Sequence, residues 1–375
     1  MTKTMFISFI ALFLFLTPAF SQLNPRNIEV DWKTDKTNKI VPLEEFTALL
    51  MPDGIPPIDE PKFWNKEQAM QAYFEHEPVI ALSLNGQAKA YPLSVLMFHE
   101  IVNDSLGNVP IAVTYCPLCN AAIVFDRRFS HQGNDYVLDF GVSGMLRKSD
   151  LVMWDRQTQS WWQQLTGEAL VGHFAGSTLD FIPSMLISLE DYFTTYPDGK
   201  ILSTETGHFR QYGTNPYTQY DSPENTQPRF FKEDIDERLP AMERIINVHV
   251  GGDYKVYPLS VVQQKKVIND RFNDQLLVLF FEEKTVSVLD EAQISESKQI
   301  GSVTVFRATI DNQPLTFTRT DNGFRDDQTG SLWSITGKCT DGKFKGRELW
   351  PINHGNHFAF AWFAFHPESE IYGQP

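Results

Sequence analysis

The sequence predicts a strand-rich α+β fold made of two homologous halves by internal duplication, and three observations carry that expectation. Lys89-Ala90-Tyr91-Pro92-Leu93-Ser94-Val95 returns as Lys255-Val256-Tyr257-Pro258-Leu259-Ser260-Val261, a shift of 166 residues, and at the same shift Asn103-Asp104 falls on Asn269-Asp270. A second match follows in the same order at a shift of 171, Gln157-Thr158-Gln159-Ser160-Trp161-Trp162 on Gln328-Thr329-Gly330-Ser331-Leu332-Trp333. Self-similarity at a fixed spacing is the mark of a repeated supersecondary unit. Within a half, short apolar runs broken by Gly, Asn and Pro outnumber helical patterns, which sets the class.

The elements follow in chain order. Residues 1–21 read as a secretory signal peptide, with Lys3 as the basic start, an apolar run from Met5 to Leu16 and Ala19-Phe20-Ser21 as the small-residue cleavage site. About a dozen apolar residues fall short of the roughly 20 that span a bilayer, so the mature chain is expected to carry no membrane span and to lie in the periplasm or outside the cell. Residues 22–64 form an N-terminal extension and 65–203 the first half. There Ile80–Leu84 and Gln87–Tyr91 flank Asn85-Gly86, a two-residue hairpin signal. Ser94 is placed to cap a helix carrying Leu93, Leu96, Met97 and Ile101 on one face and ending near Asn103-Asp104. Val109–Tyr115, Ala121–Phe125, Tyr136–Val142 and Leu151–Trp154 read as strands. Residues 204–240, polar and rich in Tyr, Asn and Pro, form a long connection without periodicity. The second half occupies 241–375.

Composition bounds the function. With 42% hydrophobic and 21% charged residues the chain of 375 has ample core and no compositional case for disorder. A net charge of −15 argues against binding a phosphate backbone, so nucleic acid is not an expected partner. Phosphate-loop, zinc-protease helix and nucleophile-elbow motifs are all missing from the sequence.

Cys116-Pro117-Leu118-Cys119 is the most specific chemical feature. Two cysteines at this spacing can be a redox dithiol, half of a metal site or a small structural disulfide. Asn120 stands where covalent haem attachment would need His, and the following Ala-Ala-Ile-Val-Phe favours strand over the helix on which thioredoxin-like dithiols sit. In the other half these positions are Glu282 and Thr285, and His99 becomes Lys265, so the frame is expected to stand without the cysteines. Metal binding, with zinc or copper as the ion, would need further ligands beside Cys116 and Cys119. His99 is the first candidate; His131, His173, Cys339 and the loop-like His354-Gly355-Asn356-His357 are also available. Cys339, on the position of Ala169, reads as a small buried hydrophobe. The Gln-Thr-x-Ser-x-Trp match, present in both halves, reads as a Thr/Ser turn followed by a core Trp. Alternatively, Ser143, Asp155, Thr158, Ser160, Trp162 and Gln163 line a pocket.

Tyr115-Cys116-Pro117-Leu118-Cys119, Val142-Ser143-Gly144-Met145-Leu146, Asp150 through Thr158 with Ser160, Trp162 and Gln163, and Phe363-Ala364-Phe365-His366-Pro367 together resemble the bacterial domain-of-unknown-function 3179 family. Thr206–Tyr212 and Asn215-Pro216-Tyr217 resemble its linker, and the resemblance covers roughly residues 65–370. Trp161 and Gln164 depart from that pattern, where Leu and Ser are expected. The resemblance implies an exported protein without an assigned activity. The family's selenoprotein members imply a redox role for the Cys-Pro-Leu-Cys position. Three functions stay open: a thiol/disulfide protein, with oxidoreductase activity as its enzymatic form and an unidentified redox partner; a metal-binding module; and an extracytoplasmic protein binding a small ligand or carbohydrate.

Overall fold

The computed structural model describes residues 28–374, so the signal-peptide reading lies outside the described residues. The fold is strand-rich α+β: among the described residues the longest helices, Leu189–Thr195 and Leu259–Lys265, have seven residues each. Among the described residues no helix is long and apolar enough to cross a membrane.

Two stretches of chain adopt the same succession of elements. In the first, strands Pro78–Leu84 and Gln87–Pro92 form a hairpin, helix Leu93–Leu96 follows, and strands Ile101–Leu106 and Val109–Cys116 form a second hairpin. In the second the same roles fall to Arg244–Val250, Asp253–Pro258, Leu259–Lys265, Val267–Phe272 and Gln275–Glu282. The first hairpin of each stretch is flanked alike. An antiparallel strand, Met185–Ser188 or His354–Phe358, lies on one edge, and a parallel one, Lys200–Leu202 or Glu370–Ile371, on the other.

The stretches pack reciprocally. Met185–Ser188 lies against Ser302–Arg307 of the second, and His354–Phe358 lies against Ala121–Asp126 of the first. One continuous buried cluster accordingly holds Val113, Phe125 and Trp162 together with Phe306, Phe324 and Trp333. Burying apolar surface across this seam stabilises the whole at roughly 25 cal/mol per Å². Residues between Leu202 and Arg244 carry neither helix nor strand and are tied down by single contacts such as Asn215 N–H to Ala292 O at 2.9 Å.

Three local expectations are corrected. The helix after Pro92 spans only Leu93–Leu96. Glu100 takes a left-handed φ of 58°, which ends it, and Ile101 already belongs to a strand. Pro92, not Ser94, is the N-cap residue, and the Ser94 N–H instead donates to Glu77 Oε1 at 3.3 Å. The run Tyr136–Val142 splits into Asn134–Val137, which pairs with Arg128–His131, and Phe140–Arg147, which pairs with Asp150–Asp155 in a different sheet; the Leu138 N–H, bonded to Arg127 O at 2.8 Å, still belongs to the first ladder. The segment His354–His357 is strand rather than loop, paired His354 to Val248 and His357 to Ile245. Glycine fits there because a Cβ on residue 355 would sit 2.6 Å from His357 Nε2.

Candidate functional site

Cys116 is the last residue of its strand and pairs with Ala121, so Pro117-Leu118-Cys119-Asn120 must reverse the chain within four residues. Proline presets the first turn position, and Asn120 accepts the left-handed φ of 52° that closes it. The Asn120 N–H donates to Pro117 O at 3.2 Å, and the Tyr115 hydroxyl donates to Asn120 Oδ1 at 3.3 Å. Both cysteines are free, with 2% and 0% of their surface exposed.

A second tight hairpin faces this turn. Arg147 pairs with Asp150 across Lys148 and Ser149, whose φ angles of 51° and 69° define a two-residue turn with the twist that antiparallel strands favour. Ser149 O lies 3.9 Å from Cys116 Sγ. Asp150, fully buried, accepts at Oδ2 from Gln163 Nε2 at 2.6 Å and from the Leu165 N–H at 2.9 Å, while its Oδ1 has no hydrogen-bond partner. Arg147 Nη1 donates to Gln163 Oε1 at 3.2 Å and is itself held by Glu45 at 2.7 Å, which fixes the amide with its NH₂ toward Asp150. One ligand atom each from Cys116, Cys119 and Asp150 lie within 4.8 Å of one another.

The second stretch and the connection cover the turn. The Phe358 N–H donates to Cys119 O and the Tyr220 hydroxyl to Leu118 O, both at 3.0 Å, while Ser149 Oγ donates to Arg229 O at 2.7 Å. Burial decides the electrostatics. It raises the Cys116 thiol, an effect opposed by hydrogen bonds from the Cys119 thiol and N–H, and it raises Cys119 well above the ordinary thiol range. Asp150 is pushed up to about 6 by burial against the donors on Oδ2, and the neighbouring Glu100 to about 8 by burial and then by the charge of Asp150.

The remaining sequence candidates stand elsewhere. His99 places Nδ1 2.7 Å from Pro56 O and Nε2 2.6 Å from the Tyr212 hydroxyl, so both ring nitrogens are engaged outside the cysteine cluster. His131 and His173 pack edge-on to Phe174, and Cys339 begins its strand as Ala169 begins the corresponding one. Asp155 is the centre of a structural knot. Its carboxylate accepts from the Thr158 N–H at 2.6 Å, the Thr158 hydroxyl at 2.9 Å, the Ser160 N–H at 3.1 Å and Trp162 Nε1 at 2.9 Å. Asp326 does the same with Thr329 and Trp333. Ser143 donates to Val152 O, bracing the bulge in its own hairpin, and also lines an open cleft beside Trp32 and Trp161. Of the pocket candidates only Gln163 reaches the cysteine site, by way of Asp150. Asp150 and Glu100 are not singled out by sequence reasoning. The available signal is positional: at a shift of 171 Asp150 falls on Asp321, an exposed turn residue, so burying it is particular to the cysteine-bearing stretch.

The fold and site define a strand-rich protein with a buried dithiol–carboxylate cluster at the meeting of two hairpins. The chain belongs to the family described as "Protein of unknown function (DUF3179)", whose model matches residues 52–369. It finds no match among curated proteins or solved structures.

Proposed function

We propose that the chain is an exported thiol/disulfide redox protein in which Cys116 and Cys119 cycle between dithiol and disulfide. Signal-peptide cleavage after residue 21 would deliver it to an oxidising compartment, where such chemistry operates. Two homologous halves, 65–203 and 241–375, arising by duplication account for the matched elements, with the redox pair a specialisation of the first. The observation that carries the reading is the pair of free sulfurs gathered with a carboxylate oxygen of Asp150, a buried group whose Oδ1 has no hydrogen-bond partner among the described residues. Cys116 is assigned as the attacking sulfur because burial raises both thiols and raises Cys119 further, the Cys119 thiol and N–H partly offsetting the effect on Cys116.

The Cys116 thiolate attacks a small organic disulfide and releases one thiolate. Cys119 gives its proton to Asp150 Oδ1 and attacks Cys116 Sγ, releasing the second. Two electrons pass from the cysteines to the oxidant, one disulfide replaces another, two small thiolates leave and the Cys119 proton stays on Asp150. Enclosure of the turn favours a small oxidant over a protein one. The test is mass spectrometry of the purified chain after exposure to such a disulfide, quenched in acid. A Cys116–Cys119 disulfide, reversible by dithiothreitol, is expected; two persistent thiols would overturn the reading.

A further inference from the structure

We infer that the reduced pair and Asp150 together form a binding site for one thiophilic divalent cation of the zinc type, and that closing the Cys116–Cys119 disulfide ejects it. The ejection rests on the redox reading above; the site itself does not.

The donor set is preassembled. In a tetrahedral zinc site, with Zn–S near 2.3 Å and Zn–O near 2.0–2.2 Å, neighbouring ligand atoms stand roughly 3.5–3.8 Å apart. Cys116 Sγ, Cys119 Sγ and an oxygen of Asp150 already lie within 4.8 Å of one another, so about an ångström of contraction completes three corners. The Cys-Pro-Leu-Cys turn brings both sulfurs to one side of a hairpin end, the spacing at which two cysteines share an ion.

Asp150 is held as a ligand is held. Oδ2 is fixed by Gln163 and the Leu165 N–H, Gln163 is fixed by Arg147, and Arg147 by Glu45. Outer partners of this kind orient a coordinating carboxylate and leave its other oxygen free. That oxygen, Oδ1, is buried and has no partner in the protein. A buried polar atom in that condition is costly unless something else satisfies it.

Charge selects the ion. Two thiolates and a carboxylate carry three negative charges, of which a divalent cation leaves one to be buried and a monovalent cation leaves two. Each uncompensated buried charge is expensive, so the divalent ion is preferred over copper(I). The corresponding positions of the second stretch, Glu282, Thr285 and Asp321, form no such group among the described residues.

The exchange balances. The metal-bound dithiolate and a small organic disulfide yield the Cys116–Cys119 disulfide, the free divalent cation and two small thiolates. One S–S bond breaks as the other forms, and both metal–sulfur bonds are lost as the sulfurs give up two electrons to the oxidant.

The experiment uses the full chain without a histidine tag, reduced anaerobically, stripped with a chelator and titrated with Zn²⁺ and, as an optical probe, Cd²⁺. One equivalent of each and a sulfur-to-cadmium charge-transfer band are expected. Adding glutathione disulfide should then release one equivalent to a chromogenic chelator. Cys119→Ser should abolish binding, and Gln163→Leu should weaken it about 10- to 100-fold, the usual cost of losing an outer-shell partner. Asp321→Asn should leave it unchanged, and thermal melts confirm that each variant folds. If the reduced chain forms its disulfide yet takes up neither ion, the cation site is overturned and the redox reading stands. If it binds the ion but glutathione disulfide never closes the pair, the redox reading and the ejection fall and the site stands.

Discussion

The corner at Cys116–Cys119 and the corresponding corner at Glu282–Thr285 sit on matched hairpins, yet one is a sealed acid and thiol cluster and the other joins a partly exposed Glu282 to a buried Thr285 with no such cluster among the described residues. Glu282 pairs with Arg319 at 2.6 Å, both partly exposed, and the chain then wanders through residues 283–301 before the next strand begins at Ser302. Cys116 is followed by a four-residue turn, an opposing hairpin aimed at its sulfur and a cover from two other parts of the chain. The matched hairpin forms with Glu282 and Thr285 in the places of Cys116 and Cys119, so that pair of strands does not depend on thiols.

The features common to both regions should be the most damaging to remove. Asp155→Ala strands the Trp162 indole N–H and the N–H groups of Thr158 and Ser160, at about 1–3 kcal/mol for each buried donor left unpaired. Asp326→Ala strands the matching donors of Thr329 and Trp333. Denaturant unfolding should show losses of about 3 kcal/mol or more for both; a large loss in one alone would break the equivalence of the two frames.

Next comes a shared contact that differs in burial. Glu77 and Glu243 each accept the N–H of a matched serine, Ser94 or Ser260, but Glu77 is fully buried and Glu243 is not. Burial raises Glu77 to about 7 from an ordinary value near 4.5. The folded state therefore holds its proton more tightly than the unfolded one. Stability from this group is complete below about pH 4.5 and is lost as pH rises through 7. Glu77→Gln, which keeps the neutral acceptor, should gain on the wild type by on the order of 3 kcal/mol between those limits, read from pH-dependent melts beside Glu243→Gln.

Smaller effects separate the corners. Tyr220→Phe deletes the hydroxyl that closes over Leu118 O, worth about 1 kcal/mol, so native-state alkylation of the cysteines should quicken roughly fivefold. Unchanged labelling would show that the cover opens elsewhere. Glu282→Gln loosens only a partly exposed ion pair and should cost no more than about 1 kcal/mol in thermal unfolding.

The strands and their order were legible because their signals are local. Asn85-Gly86 makes a hairpin whatever lies around it, and the 166-residue shift carries every strand boundary from Pro78 to Cys116 onto its counterpart, the helix alone running three residues longer in the second stretch. The short helix was misread because Met97, Phe98 and His99 continue an apolar face that the left-handed Glu100 cuts off, and no residue type announces that conformation in a glutamate. His354–His357 was misread because Gly and Asn usually mark loops, whereas here a neighbouring imidazole leaves room for nothing larger than glycine. The dithiol was legible and its third member was not. Asp150 lies more than thirty residues further along the chain and meets the sulfurs only because two hairpin tips converge, a fact of topology that spacing does not encode.

The reciprocal seam also bears on how the chain could be divided. Met185–Ser188 leans on Ser302–Arg307 and His354–Phe358 on Ala121–Asp126, so each stretch lends a strand to the other's wall. A chain nicked within residues 204–240 should hold together as two interlocked fragments. Fragments made separately should each lack a wall, and mixing them should restore what neither has alone, as one sealed pair of thiols.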